Sequence, residues 1–225
     1  MLKGISIAID GPAAAGKSTI AKRIARKLHY TYIDTGAMYR ALTHKAILSD
    51  IDMDSDNELA ELLMNTEILL IPDKDGQAVW IDGVDCSDVI RSQQVTGAVS
   101  KVATHPTVRK MMVDKQRVLA NASGVVMDGR DIGTEVLPHA DLKIFMTASV
   151  EERAERRFQE NEKRGIHSSL DQLKTDIENR DRADSEREVS PLKKADDAIL
   201  VDTTSMSIDD VVDKVIELAE ARMER

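Results

Sequence analysis

The residues Gly11-Pro12-Ala13-Ala14-Ala15-Gly16-Lys17-Ser18 fit Gly-x-x-x-x-Gly-Lys-[Ser/Thr], a spacing suited to holding nucleotide phosphates. Glycines let the backbone curl until successive N–H groups point at phosphate oxygens. Lys17 adds a full positive charge, and the N-terminus of a following helix adds a partial one. The Ser18 hydroxyl can take a Mg²⁺ position. Ile5-Ser6-Ile7-Ala8-Ile9, closing at Asp10, predicts a short buried strand before the loop. Ile20, Ala21, Ile24, Ala25 and Leu28 recur at helical spacing and predict a helix after it. The site is therefore expected to take a nucleoside triphosphate.

A second acidic candidate is Asp128, which directly follows the apolar run Gly124-Val125-Val126-Met127. It either holds Mg²⁺ or its water shell, as a Walker-B acid does, or caps the turn that follows. Arg130 and Asp131 lie on a turn bounded by Gly129 and Gly133, which presents both side chains to one cleft. Arg153, Arg156 and Arg157, then Arg180, Arg182 and Arg187, flank a loop around Gly165. They read either as solvated helix faces with partners such as Glu152–Arg156, or as a hinged clamp over transferring phosphate. Beside a phosphate loop, the clamp is the favoured reading.

The elements that must position these groups alternate. Residues 30–33 predict a second strand, closing on Asp34-Thr35-Gly36 before a helix that begins at Ala37. Residues 124–128, 142–146 and 198–201 supply three more apolar strands, with helices over 151–163 and 170–182 and a final one at Ile208–Ala219. Five such strands with intervening helices make one doubly wound α/β domain, with ligands beyond the carboxyl ends of its strands. From about residue 50 to 105 the rhythm changes. A short helix at 58–64, strands at 68–71 and 78–81, and turns at Asp73-Lys74-Asp75-Gly76 and Asp82-Gly83 suggest an insertion with a small antiparallel sheet. Pro106 suits the first turn of a helix containing Val108, Met111, Met112, Lys115 and Leu119.

Composition narrows the function. The 225 residues are 42% hydrophobic and 32% charged with a net charge of −9, against a broad nucleic-acid-binding surface. Cys86 is the only cysteine and reads as a bystander thiol, which excludes an intrachain disulfide and favours a reducing, cytoplasmic setting. The first apolar run stops at Asp10, too short for a signal peptide, and no stretch approaches the ~20 apolar residues of a membrane span. A regulatory GTPase shares the phosphate loop but reads its base with Asn-Lys-x-Asp, and no asparagine here precedes a lysine. The Asp73-Lys-Asp-Gly76 match to Asp-x-x-Gly falls in the insertion. A kinase for a small phosphate acceptor fits better, since a phosphate oxygen is already anionic and needs no general base. Open alternatives are a kinase for another monophosphate or a shikimate-like alcohol, and a nucleotide switch that binds without transfer.

Several motifs together resemble the bacterial cytidylate (CMP) kinases: residues 9–19, Asp-Thr-Gly-Ala-Met-Tyr-Arg at 34–40, Asp-Gly-Arg-Asp-Ile-Gly-Thr at 128–134, Glu-Glu-Arg-Ala-Glu-Arg-Arg at 151–157, and 180–187. The resemblance spans essentially the whole chain. It implies a P-loop NTPase fold and transfer of the γ-phosphoryl of Mg·ATP to CMP or dCMP in pyrimidine metabolism, by a monomer. It also implies one kinase domain: core about 1–40 and 108–225, monophosphate-binding insertion about 41–107, mobile lid about 157–180.

Position by position, Gly11 through Thr19 are implied to hold ATP, with Ser18 and Asp128 at Mg²⁺. Thr35, Arg109 and Asp131 face cytosine, and Ser100 lies near the nucleoside. Arg40 and Arg130 hold the acceptor phosphate, Arg180 and Asp184 the sugar, and Arg187 the acceptor side. Lys17, Arg130, Arg153 and Arg157 form the catalytic set, the last two closing over the transferring group. Chemistry supports the base assignment. A carboxylate accepts from the cytosine amino group and repels the carbonyl that uracil puts there, while Arg109 donates to ring N3 and O2. Asp131→Ala is thus expected to erode the preference for CMP over UMP.

Overall fold

The computed structural model describes residues 4–74, 76–121, 124–163 and 165–224. Asp75, in the expected turn at 73–76, and Arg164, in the expected lid, lie outside the described residues. Five strands form one parallel sheet: β1 (Ser6–Asp10), β2 (Thr31–Asp34), β6 (Val125–Gly129), β7 (Leu142–Thr147) and β8 (Ile199–Asp202). Their spatial order is β2-β6-β1-β7-β8. β1, β6 and β7, the inner strands, are buried on both faces and read as continuous apolar runs.

The strand after which the phosphate loop begins thus lies at the middle of the sheet, between β6 and β7. Pairing sets Asp10 opposite Gly129 and Phe145, and Asp34 opposite Asp128. Three acidic strand ends, Asp10, Asp34 and Asp128, therefore share one sheet edge. This is the place where an α/β sheet binds ligands.

Helices cover both faces. Ile20, Ala21 and Ile24 of α1 (Lys17–Leu28) pack with Val211, Val212 and Val215 of α8 (Ile208–Met223) over β1 and β7. The α8 start carries a capping box between Ser207 and Asp210. On the other side, Val113 of α5 (Pro106–Leu119) meets Ile33, Met127 and Ile132. Pro106 occupies the first turn of α5, as expected. Next to these lies a helical core made by Leu42 of α2 (Thr35–Leu48), Leu59 and Leu63 of α3 (Asp56–Met64), Val99 of α4 (Gln93–Val102) and Met112.

The small sheet is antiparallel, in the order β3 (Ile68–Ile71), β4 (Ala78–Ile81), β5 (Val84–Asp85). The pattern predicts two strands; the third is two exposed residues long, too short to show alternation. The α4 helix is likewise absent from the sequence reading, although Val95, Val99 and Val102 are its buried face. Thr96 and Gly97 lower its helix propensity and mask the period. The sheet is not a free flap. Val79 and Ile81 pack on Ala37, Ala41 and Ile90, and Cys86 is buried among them, which suits the bystander reading.

After β7 come α6 (Val150–Lys163) and α7 (Leu170–Glu186). The second runs four residues past the expected Arg182, because only Ile177 and Asp184 are buried and no apolar stripe marks its end. Among the described residues no helix is long and apolar enough to cross a membrane.

Candidate active site

The phosphate loop takes the curled form its glycines permit. Gly11 has φ 149°, Ala14 59° and Gly16 87°, and Gly16 caps α1 from the left-handed region. A Cβ on Gly11 would lie 2.1 Å from the Met146 carbonyl oxygen of β7, so only glycine fits where loop and strand meet. Gly11→Ala is expected to destabilise the fold by about 2–4 kcal/mol, through clash and strain together. That lowers the melting temperature by about 5–15 °C, measurable by calorimetry.

Lys17 begins α1 and is buried, its Nζ donating to the Pro12 carbonyl at 2.8 Å. Burial, then the neighbouring Arg130, pulls its ammonium down to about 7. A phosphate beside Nζ restores the charge, so ATP binding near pH 8 is expected to take up most of one proton, and near pH 6 none. Titration calorimetry in buffers of different ionisation enthalpy reads that uptake, and Lys17→Ala should abolish it.

Ser18 Oγ donates to Asp128 Oδ2 and the Tyr32 hydroxyl to Asp128 Oδ1, each at 2.8 Å. Asp128 is buried, and desolvation, then the charge of Asp34, lifts its carboxyl to about 6. The turn-capping alternative for Asp128 falls to Asp10 instead. Asp10 accepts the Ile132 and Gly133 N–H groups at 2.8 and 2.7 Å, fixing the single π turn Ile132–Val136. Asp34 caps α2 by accepting from Ala37 N.

Across the same edge lies a cluster of buried and half-buried charges. Arg109, 2% exposed, pairs with Asp131 Oδ2 and donates to the Ala103 carbonyl; its guanidinium lies 5.4 Å from the Tyr39 ring. Arg187 stands 3.8 Å from both Asp131 and Asp184, and Arg130 Nε donates to Asp184 Oδ2 at 2.8 Å. Arg40 donates to Thr96 Oγ1 at 2.8 Å. Burial and then Arg180 pull Arg40 down to about 9; burial and then Arg130 pull Arg180 to about 10. Burial and then Arg109 lower Arg187. Arg180 Nε, Arg187 NH2 and Arg109 Nε are buried without a hydrogen-bond partner among the described residues. The positive charge here exceeds what Asp131 and Asp184 neutralise, and its unused donors suit a polyanion.

Thr35 spends its hydroxyl on the Asp128 carbonyl at 2.8 Å, placing it against Gly129. Ser100 lies half-buried on α4. Arg153 is buried, donating to the Ala148 and Ala13 carbonyls and pairing with Asp181 at 2.6 Å. Arg157 pairs with Glu160 at 3.2 Å, and Arg182 is exposed. Arg156 keeps its expected partner Glu152 and also binds Thr203, bordering the loop at Gly16. Tyr32, Tyr39 and Asp181 join the site only in the structure. Their partners are remote in sequence, Tyr32 and Asp128 being 96 positions apart.

A family model described as Cytidylate kinase matches residues 7–221. The chain belongs to the cytidylate kinase family. A protein named cytidylate kinase from Geobacillus kaustophilus (strain HTA426) is 57% identical over 223 residues, 99% of this chain and 100% of that relative. Cytidylate kinase from Anoxybacillus flavithermus (strain DSM 21510 / WK1) is 58% identical over 224 residues, covering 100% of both. That from Bacillus subtilis (strain 168) is 54% identical over 222, or 99% of both. Among solved structures, an uncharacterized protein from Eubacterium ventriosum ATCC 27560 superimposes with a TM-score of 0.52 at 14% identity. The match covers 96% of this chain and 98% of that one, a likeness of fold alone. As a cytidylate kinase family member with a phosphate loop at the centre of its sheet, the chain is a nucleoside-monophosphate kinase.

Proposed function

We propose that this chain transfers the γ-phosphoryl group of Mg·ATP to CMP or dCMP, giving ADP and CDP or dCDP. One observation carries the reading: an arginine-rich, under-neutralised cluster shares the sheet edge with the phosphate loop. An acceptor phosphate oxygen attacks the γ-phosphorus while the bond to the β–γ bridging oxygen breaks, and the ADP oxygen leaves with that electron pair. Because the attacking oxygen is anionic, the chain supplies alignment and neutralisation rather than a base.

In this reading the residues from Gly11 to Thr19 cradle ATP, with Lys17 on its outer phosphates. Arg40, Arg130 and Arg187 hold the acceptor phosphate. Arg109, Asp131 and Thr35 read the base, with Ser100, Arg180 and Asp184 at the sugar. Arg153 braces the loop from its Ala13 contact, and Arg157 closes over the phosphoryl group. Ser18 and Asp128 fit Mg²⁺: both are hard oxygen donors, hydrogen-bonded at 2.8 Å. When bound, Mg²⁺ neutralises charge between the phosphates. Residues 41–107 then form the monophosphate-binding insertion and 157–180 the moving lid of a cytoplasmic monomer.

The test is product analysis with Mg·ATP and CMP, dCMP, UMP, AMP or shikimate as acceptor. Rapid CDP and dCDP formation is expected. Preferential phosphorylation of AMP or shikimate, or slow hydrolysis whatever the acceptor, overturns the reading.

A further inference from the structure

We propose that Tyr32 is a positioning residue for the metal-binding carboxylate: its hydroxyl holds Asp128 in the orientation that Mg²⁺ on Ser18 requires. The inference rests on the placement of the ion given above. Tyr32 is a core residue of β2, 8% exposed, and its ring packs into the cluster beneath the phosphate loop. A phenylalanine would satisfy that packing. The hydroxyl does something further. It donates to Asp128 Oδ1 at 2.8 Å while Ser18 Oγ donates to Oδ2 at 2.8 Å, so the carboxylate is gripped from two sides.

An ionised carboxylate has about four lone-pair sites, and two hydroxyl donors leave about two for an ion or its water shell. The register supports the same geometry. Asp34, two residues beyond Tyr32 on β2, pairs with Asp128 on β6, so the phenol is built into the neighbouring strand rather than a loop. The Lys22 ammonium sits 5.7 Å from the Tyr32 ring centroid, a cation–π contact that helps hold the ring in place. Donors behind a metal ligand fix its orientation, and their loss weakens metal binding about 10–100-fold.

The test compares Tyr32→Phe, Tyr32→Leu and Asp128→Asn. Mn²⁺ binding to each enzyme with the non-hydrolysable analogue AMP-PNP is read by electron paramagnetic resonance, with Mg²⁺ as competitor; CMP affinity is measured separately by calorimetry. Both Tyr32 variants should bind Mn²⁺ at least about tenfold more weakly. CMP affinity should hold, and kcat should recover at saturating Mg²⁺. Wild-type Mn²⁺ affinity in Tyr32→Phe, with Asp128→Asn impaired, overturns the role given to the hydroxyl. Loss in Tyr32→Leu alone assigns the effect to packing and overturns it equally. Should Asp128→Asn also bind Mn²⁺ normally, the placement of the ion falls, and this inference with it.

Discussion

Lys17→Ala is expected to lower kcat for phosphoryl transfer from Mg·ATP to CMP by about two to three orders of magnitude, with the fold intact. Removing one preorganised donor from developing transition-state charge costs about 2.7–4 kcal/mol of barrier. The fold should tolerate the change, because the direct hydrogen bonding lost is small. Among the described residues the Lys17 Nζ makes one hydrogen bond, to the Pro12 carbonyl, worth about 1 kcal/mol net. Against that loss stands relief of a buried charge whose ammonium is already pulled down to about 7. Steady-state kinetics at saturating substrates, with a melting curve as control, make the measurement. A folded variant within tenfold of normal kcat would remove Lys17 from the mechanism.

The second large effect concerns base choice, and the structure changes how it must be tested. Asp131→Ala removes the acceptor proposed for cytosine's amino group but also strands Arg109, which is 2% exposed and paired to that carboxylate. Breaking such a buried pair costs about 3–5 kcal/mol of stability, so the alanine variant confounds folding with specificity. Asp131→Asn keeps an acceptor oxygen for Arg109 and adds an amide N–H that suits uracil's carbonyl. The CMP/UMP ratio of kcat/KM is expected to fall by about 1–3 kcal/mol, or about 5–150-fold. Competition assays with both acceptors give the ratio directly. An unchanged ratio would take base recognition away from Asp131.

Arg153 marks a boundary between motif and geometry. Its i, i+4 spacing with Arg157 on a charged helix suggests two equal arms of a clamp. In the structure one is buried against the Ala13 carbonyl and Asp181, while the other faces Glu160 near the surface. Helical spacing gives a shared face but says nothing of what that face meets.

The local code was sufficient for the phosphate loop, the five core strands and the Pro106 start of α5, because each depends on neighbouring residues: φ freedom, apolar runs, a missing N–H. The family motifs singled out Arg40, Arg130, Arg180 and Arg187 for the same reason, as short contiguous strings. Tertiary structure alone decided that Asp10 rather than Asp128 caps the turn after β6, that Arg109 is locked to Asp131, and that Tyr32 grips Asp128 across two strands. Those contacts join positions 22 to 123 apart, and they exist only once parallel pairing brings remote strand ends to one edge. Parallel strands need long crossovers, so no local pattern encodes which residues will meet there.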